Sequence, residues 1–250
     1  MTSFLPGARA SRLRGARALF TARSGGVSEG HWSSLNLARH VGDEPARVEA
    51  NRARLETALA RRVVYVEQVH SADVVTVDAE TGVDDLAAHP RRADALVTAR
   101  SDVALAIMVA DCLPVLLVDA EAGVVGAAHA GRRGLLDGIL PATVEAMEGL
   151  GARAEAIAAE IGPSVCGRCY EVPAAMRDES EALIGGIGAE TSWGTPSLDL
   201  RAGAVSSLVS AGLDAANVLA DAPCTVEDEA FFSYRRAATT GRFAGAVALP

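Results

Sequence analysis

Short apolar runs rich in β-branched residues dominate the centre of the chain, and they predict buried β-strands. Four such runs follow one another, at residues 95–98, 103–109, 115–118 and 124–128. Each run is short and continuously apolar rather than alternating, which is typical of strands that are covered on both faces. Three shorter candidates lie outside this region, at residues 63–66, 73–77 and 218–220.

Helical spacing appears on both sides of the central strands. A helix is predicted after Asp43, which we expect to be its N-cap, with Pro45 in its first turn. Two further helices are predicted, at residues 134–150 and 202–210. Residues 154–161 fit a strand or a helix equally well. Strands and helices thus mix along the whole chain without a repeat or linker, which predicts an α/β or α+β domain of mixed sheets flanked by helices.

Composition narrows the class of protein. Half of the 250 residues are hydrophobic and 22% are charged, which is typical of a globular chain. The 23 basic and 32 acidic residues give a net charge of −9, which argues against a general nucleic-acid binder. Every basic residue is Arg, so the chain has neither a Walker A lysine nor a Schiff-base lysine. An anion must therefore be held by Arg, by backbone N–H groups or by a metal.

The apolar segments do not indicate a membrane protein. The longest, residues 103–118, is interrupted by Asp111, Cys112 and Pro114 and is shorter than the roughly 20 residues of a membrane helix. Residues 1–23 lack the continuous apolar core of a secretory signal. Four cysteines in a chain of this length do not resemble a disulfide scaffold. We therefore expect a cytoplasmic protein without a membrane partner.

Three side chains of metal-binding type stand at or just beyond the ends of predicted strands: His70, Cys112 and His129. A hairpin turning at residues 120–123 would place His129 opposite Leu113, within one residue, and so beside Cys112. The sequence alone does not place His70. Two imidazoles and one thiolate would give zinc three ligands and leave its fourth position open, as in catalytic sites. The alternative is that these are ordinary buried cysteine and histidine residues.

Cys166 and Cys169 form a single CxxC motif. Such a pair serves as a redox couple or as half of a zinc site. The sequence contains no second CxxC, and the preceding Gly–Pro is typical of a turn. We therefore interpret the motif as a structural turn.

Arginines supply the candidate anion-binding groups. Arg52 lies on the first predicted helix, and Arg23 precedes a Ser-Gly-Gly turn. Arg133 lies in the tight turn between Gly131 and Gly134, at the start of a predicted helix, where backbone N–H groups favour anions. Most of the other arginines are expected to be solvated surface charges.

Several motifs carry a resemblance to a known family. The longest are ADCLPVLLVD at 110–119, AHAGRRG at 128–134 and IGPSVCGRCYEV at 161–172. Shorter matches follow in the family's order: FTARSGGVSEG at 20–30, SLNL at 34–37, NR at 51–52, QVH at 68–70, CTVE at 224–227 and FFSYRR at 231–236. On these motifs the chain resembles the YfiH-like laccase-domain family, also called multicopper polyphenol oxidase-like. It departs from the usual pattern at Arg132, where the family has Trp, and at Ala22, where it has Thr.

The resemblance implies a single domain over residues 1–250, folded as a layered α/β/β/α sandwich. It also implies a catalytic zinc site on His70, Cys112 and His129. The implied reaction is phosphorolysis of adenosine, inosine, guanosine or methylthioadenosine to the base and ribose or methylthioribose 1-phosphate. Deamination of adenosine to inosine is implied as a second activity. The expected partners are therefore a purine nucleoside and phosphate.

The implied activities make different demands on the residues. Five histidines are too few for the several copper centres of a laccase, so zinc is the expected metal and copper the alternative. A zinc ion with an open position suits deamination, and phosphorolysis needs an anion clamp. The candidates for substrate binding are Arg52, Arg23, Arg133, Asn36 and Gln68.

Three rival functions remain open. A metal-free hydrolase would use Cys112 as nucleophile and His129 as base, acting on an amide of a cell-wall precursor. The older description of the family as copper-dependent polyphenol oxidases is the other enzymatic alternative. A binding or scaffold role without catalysis is a third.

Overall fold

The computed structural model describes residues 5–250 of the chain. These residues contain thirteen strands and six α-helices. The strands are β1 (Arg9–Ala10), β2 (Arg17–Phe20), β3 (Arg62–Val64), β4 (Val74–Thr76), β5 (Ala95–Thr98), β6 (Val103–Val109), β7 (Leu113–Asp119), β8 (Val124–Ala130), β9 (Ala158–Ile161), β10 (Gly188–Glu190), β11 (Pro196–Leu198), β12 (Val218–Leu219) and β13 (Phe243–Ala248). The helices are α1 (Pro45–Leu59), α2 (Val83–Ala88), α3 (Arg132–Leu136), α4 (Ile139–Glu148), α5 (Ala174–Leu183) and α6 (Leu200–Ser210).

The strands pair into two large sheets and one small hairpin. The five-stranded sheet has the order β1-β2-β13-β6-β3, and the six-stranded sheet has the order β12-β9-β7-β8-β5-β4. Strands β10 and β11 form a separate antiparallel hairpin. Both large sheets are mixed, since β3 runs parallel to β6, and β4 runs parallel to β5, among otherwise mostly antiparallel neighbours.

Three apolar clusters stack the elements into four layers. One cluster lies between the two sheets and joins Phe20 and Leu105 of one to Leu116 and Val125 of the other. A second packs α1 on the outer face of the five-stranded sheet. A third packs α3, α4 and α6 on the outer face of the six-stranded sheet. The α/β/β/α sandwich that the resemblance implied is therefore confirmed.

The central strands agree with their apolar pattern. Strands β5 and β6 have the predicted bounds, and β7 and β8 form the predicted hairpin. His129 pairs with Pro114, one residue from the predicted partner. Between residues 5 and 250, every helix is too short or too polar to cross a membrane. The first four residues of the segment considered for a secretory signal lie outside the described part of the chain.

Two local predictions are corrected, and one alternative that the sequence left open is resolved. The helix predicted over residues 134–150 is two helices, α3 and α4, because Gly138 adopts a left-handed φ of 93° between them. The N-cap of α1 is Glu44, whereas the carboxylate of Asp43 accepts hydrogen bonds from Ser28 and Asn36. Residues 154–161 divide into a 3-10 turn and strand β9. Strand β13, rich in Ala and Gly, was not predicted because small residues have a weak apolar pattern.

The close approach of the two sheets predicts the effect of a single added methyl group. A Cβ atom at Gly162, just after β9, would overlap the ring of Phe20 on the opposite sheet. Phe20 is 1% exposed, so its ring is enclosed by neighbouring residues. We expect Gly162→Ala to lower the free energy of unfolding by about 1–3 kcal/mol. In Gly185→Ala, where nothing lies within 4 Å of the added atom, we expect a change within about 0.5 kcal/mol. Equal urea midpoints for the two variants would contradict this packing.

Candidate metal centre

His70, Cys112 and His129 converge at one edge of the sandwich. His70 lies on the connection from β3 to β4, Cys112 lies on the connection from β6 to β7, and His129 lies near the end of β8. One ligand atom from each of the three lies within 4.8 Å of the others. The Cys112 Sγ is 3.8 Å from His70 Nε2, and the two imidazole centroids are 4.7 Å apart. Such separations suit three ligands of one tetrahedral ion.

A buried carboxylate orients both histidines. Asp94 is 0% exposed, and its Oδ1 lies 2.7 Å from His129 Nδ1, which donates to it. The backbone N–H groups of Val69, His70 and Ser71 also donate to this carboxylate, at 3.1, 2.9 and 2.6 Å. With Nδ1 of His129 engaged, its Nε2 is the nitrogen left for a metal. Asp94 therefore fixes one imidazole directly and the other through the turn that carries it.

Two residues of the centre's connections adopt left-handed backbone conformations. His70 has a φ of 63°, and Asp111, immediately before Cys112, has a φ of 96°. Non-glycine residues adopt such conformations only where surrounding contacts hold them. The hydrogen bonds to Asp94 hold the first turn. The Asp111 carboxylate holds the second by accepting from Thr225 Oγ1 at 2.6 Å and from the Arg235 backbone N–H at 2.7 Å.

Gly131 leaves the space between the ligands open. A Cβ atom at this position would lie 2.7 Å from a ring carbon of His70 and 3.1 Å from Cys112 Sγ. Any other residue would therefore push the thiol and the imidazole away from each other. The glycine follows His129 by two residues, so the end of β8 supplies both a ligand and the room beside it.

The side chains of the centre shift one another's pKa values. Burial opposes ionisation of Cys112, but His129 and His70 outweigh it and lower the pKa of the thiol to about 6. Burial likewise opposes protonation of His129, but Cys112 and Asp94 raise its pKa to about 9. For Asp94, burial is outweighed by hydrogen bonds from His129 and Ser71, which lower the carboxyl pKa to about 2. Without a metal, the thiol and the His129 imidazole therefore each favour the charged form of the other.

The donor set fits one divalent metal ion. Zinc binds thiolate sulfur and neutral imidazole nitrogen. A cation bound to Cys112 and His129 would therefore take the place of the proton that lies between these two side chains. The other three histidines of the chain lie elsewhere: His31 packs on Trp32, His40 lines a cavity, and His89 faces Asp85. With only two histidines at the centre, the described residues do not form the several copper sites of a laccase.

Two cavities contain predicted substrate-binding residues, and one of them reaches a metal ligand. The smaller, of about 410 Å³, is lined by His70 itself and by the arginines Arg92 and Arg133. The larger, of about 670 Å³, includes Arg52 and Gln68 in its lining. Both volumes are in the range of small-molecule sites. Only the smaller cavity has a candidate metal ligand in its lining, whereas the larger one is linked to the centre through Gln68, two residues before His70.

Three of the five predicted substrate-binding residues line these cavities. The Arg52 guanidinium lies over the ring of Tyr65, 4.1 Å from its centroid, and donates to the Leu37 carbonyl at 2.9 Å. Gln68 exchanges two hydrogen bonds with the backbone of Met108, at 2.8 and 2.9 Å, so its amide is already engaged. Arg133 is largely exposed at the rim of the smaller cavity.

The other two predicted residues lie apart from both cavities. Arg23 packs on the ring of Phe232 and donates to the Ser33 carbonyl at 2.6 Å. Asn36 is 0% exposed, and its amide bonds to Ala38, Asp43 and the Arg242 backbone. Its polar atoms are thus used inside the fold, which gives Asn36 a structural role rather than a surface that a nucleoside reaches.

Sequence reasoning missed Asp94 and Gly131. Asp94 directly precedes the predicted strand 95–98, so the strand-end argument that selected His70 also applies to it. Gly131 lies in a recognised motif, but only the positions of His70 and Cys112 show why a glycine is required there. The sequence does not reveal either role, because it does not show that β4 and β5 pair in parallel and so bring Asp94 to the turn that carries His70.

The chain is similar to a known protein family and to several proteins with names. Residues 17–250 match the profile of the family described as multi-copper polyphenol oxidoreductase laccase. A purine nucleoside phosphorylase of Streptomyces griseus is 50% identical over 231 residues, covering 91% of this chain and 92% of that protein. One of Corynebacterium glutamicum is 47% identical over 242 residues, covering 96% of each.

Solved structures show the same architecture. YlmD of Geobacillus stearothermophilus superposes with a TM-score of 0.86 at 36% identity, over 94% of this chain and 92% of that one. A Neisseria meningitidis protein assigned to the family model DUF152 superposes with a TM-score of 0.85 at 34% identity, over 96% and 97%.

The Asp94 contacts predict how the centre responds to loss of one charge. We expect Asp94→Asn to weaken zinc binding about 10–100-fold, because the amide no longer accepts the charged hydrogen bonds that orient His129 and the His70 turn. Asp73→Asn removes the same charge from an exposed neighbour and should leave zinc affinity unchanged. Competition with a chromophoric chelator measures both. Equal affinities of Asp94→Asn and the unmodified protein would show that the carboxylate does not organise the ligands.

Proposed function

The chain belongs to the multi-copper polyphenol oxidoreductase laccase family, and on that premise we propose that it is a zinc-dependent purine nucleoside phosphorylase that also deaminates adenosine. The observation that carries the proposal is the three-ligand centre of His70, Cys112 and His129, with an arginine-lined cavity at His70 and a second one that includes Arg52 and Gln68. The names of the relatives support the choice of reaction. The substrates we propose are adenosine, inosine, guanosine and methylthioadenosine, each with phosphate.

His70, Cys112 and His129 would hold the metal. A bound zinc ion would supply Lewis acidity toward an oxygen or ring atom of the substrate. We favour zinc over copper because neither phosphorolysis nor deamination transfers electrons, so a redox-inactive ion suffices. The four cysteines are all free thiols, which suits a reducing compartment, and we propose that the protein acts in the cytoplasm.

Phosphorolysis requires that a phosphate oxygen bond to C1′ of the sugar while the bond from C1′ to the base nitrogen breaks. The electron pair leaves with the base, which takes up a proton. We assign Arg52 to hold the phosphate, because its guanidinium is held by a carbonyl, a ring face and the Met108 sulfur, none of which carries a charge. Charge-assisted bonds from Arg to phosphate fix its position as well as its charge.

The other four residues predicted to bind substrate receive secondary or positioning roles, or none. Arg133 lines the cavity that contains His70, and we assign it a secondary role in anion binding. Gln68 ties the chain just before His70 to Met108 at the end of β6, so we assign it a positioning role. Asn36 has the same kind of role farther from the centre. Arg23 is not retained in the proposed site, because its contacts are with Phe232 and Ser33.

Deamination needs the centre but not the phosphate clamp, so the two activities can be separated. We expect Arg52→Ala to lower phosphorolysis of inosine about 10–100-fold, since it loses hydrogen bonds to a charged ligand. Adenosine deamination without phosphate should change little in the same variant. His70→Ala should lose both activities. Ribose 1-phosphate and ammonia are the products to measure.

Arg54→Ala is the matched control for Arg52→Ala. Arg54 lies on the same helix, and its exposed guanidinium has the Gly25 carbonyl, at 3.3 Å, as its one hydrogen-bond partner within residues 5–250. Its loss should leave both activities unchanged. Arg52→Lys keeps the charge without the planar fork and reports on geometry, with circular dichroism confirming the fold of each variant. Full phosphorolysis by Arg52→Ala would remove Arg52 from the proposal.

One observation favours a second function. The pKa of Cys112 near 6 and its contact with the two imidazoles are also the properties of a nucleophilic cysteine in a metal-free hydrolase. The two functions make incompatible demands on this sulfur, because a thiolate bound to metal is not available for attack on an amide.

Metal removal distinguishes the phosphorylase from the hydrolase. We expect Cys112 of the purified protein to resist iodoacetamide, and to be labelled after chelation of zinc, with phosphorolysis lost on chelation and restored by added zinc. Labelling is located by peptide mass spectrometry and metal by elemental analysis. Immediate labelling of Cys112 in a protein without bound metal would support the hydrolase and contradict our proposal.

A further inference from the structure

A second group of ligand-type side chains lies away from the centre described above. Cys166, Cys169, Cys224 and Glu227 each offer one ligand atom, and these four atoms all lie within 4.8 Å of one another. The group contains every cysteine that the proposed function does not use. The CxxC motif therefore has partners after all, and they come from a segment far along the chain.

The first half of the group is a tight turn. The backbone N–H groups of Cys169 and Tyr170 both donate to the Cys166 carbonyl, at 3.0 and 3.1 Å. This winding brings the two sulfurs of the motif to one side of the turn, as in the CxxC halves of zinc sites. Cys169 is 5% exposed, so its thiol faces the interior of the group rather than solvent.

The second half is fixed against the first by backbone pairing. Ser164 and Cys224 form a parallel β-bridge, and the Thr225 N–H donates to the Ser164 carbonyl at 3.0 Å. The Cys166 N–H donates to the Cys224 sulfur at 3.4 Å. Hydrogen bonds from backbone N–H groups to sulfur are the contacts that accompany thiolate ligands of metals. The Glu227 carboxylate completes the group, 3.5 Å from Cys169 Sγ.

We propose that Cys166, Cys169, Cys224 and Glu227 bind a structural zinc ion, separate from the His70–Cys112–His129 centre. Three thiolates and a carboxylate supply four ligands of the types that zinc prefers and leave no position open. A disulfide between Cys166 and Cys224 would use two sulfurs and leave Cys169 and Glu227 unexplained. Convergence of all four ligand atoms favours the metal.

Positive charge surrounds the second site and would offset its thiolates. Arg201 donates to Ser164 Oγ at 2.8 Å and to the carbonyls of Ser164 and Pro223 at 2.6 Å, and its charge acts on Cys166 and Cys224. Arg168 lies 3.5 Å from Glu227 on the solvent side. The guanidinium groups thus bind the same two loops that carry the ligands, which lowers the repulsion among the sulfurs.

The proposed ion would brace the turn that presents Cys112. The Val165 N–H donates to the Asp111 carbonyl at 2.9 Å, and Thr225 Oγ1 donates to the Asp111 carboxylate at 2.6 Å. Val165 precedes one ligand and Thr225 follows another. A metal that joins these two loops therefore holds both contacts to Asp111, whose left-handed conformation directs the chain into Cys112.

The test measures the number of metal ions per chain and identifies thiolate ligands by absorption spectroscopy, without an activity assay. We expect two zinc ions per chain in the unmodified protein, one in Cys112→Ser and one in Cys166→Ser/Cys169→Ser. Arg168→Ala, which removes the ion pair with Glu227 but no ligand, should keep both ions. In Cys112→Ser loaded with Co²⁺, intense thiolate-to-cobalt absorption can arise only from the second site.

The cobalt spectrum of Cys112→Ser decides the question even if the double variant fails to fold. Absence of that absorption, together with free reactivity of Cys166, Cys169 and Cys224 toward iodoacetamide, would overturn the proposal. A disulfide between Cys166 and Cys224 in freshly purified protein would overturn it as well. Because no nucleoside or phosphate enters these measurements, their outcome is independent of the proposed phosphorylase activity.

Discussion

The buried carboxylate of Asp94 is the constraint on which the centre depends. It is 0% exposed, so its charge survives only because His129 and three successive backbone N–H groups donate to it. Those same bonds orient one imidazole and shape the turn that carries the other. The sheet register sets the carboxylate in place, since β5 pairs with β8 and the His129 N–H donates to the Asp94 carbonyl at 2.7 Å.

The two-sheet architecture explains why ligands from distant parts of the chain meet. Strands β3 and β6 belong to one sheet, whereas β4 and β7, which follow them, belong to the other. His70 and Cys112 therefore lie on the two connections that cross between the sheets. His129 meets them at the end of β8. Because parallel pairings place β3 beside β6 and β4 beside β5, the two crossings emerge at the same edge of the sandwich.

Local contacts could be predicted from the sequence and distant ones could not. The β7–β8 hairpin fixes its own register through a short turn, so His129 was expected beside Cys112 within one residue. His70 and Cys224 reach their sites through pairings between segments distant in the chain, and apolar periodicity does not specify such partners. Polar motifs were equally ambiguous. Arg52 and Asn36 both carry side chains suited to a ligand, and only the hydrogen bonds show that the amide of Asn36 is already satisfied.

The net charge of the chain bears on the role in phosphate binding that we propose for Arg52. A protein of net charge −9 repels phosphate at long range, so an anion site needs a local positive charge that no carboxylate cancels. Arg39 lines the same cavity but is neutralised by Glu49, which accepts from it at 2.7 and 3.0 Å. Among residues 5–250 Arg52 forms no salt bridge, although Glu49 and Glu56 line the same cavity, and a carbonyl, a ring and a sulfur hold its guanidinium. The structure thus distinguishes Arg39, which completes a salt bridge, from Arg52, the arginine that we propose for phosphate binding.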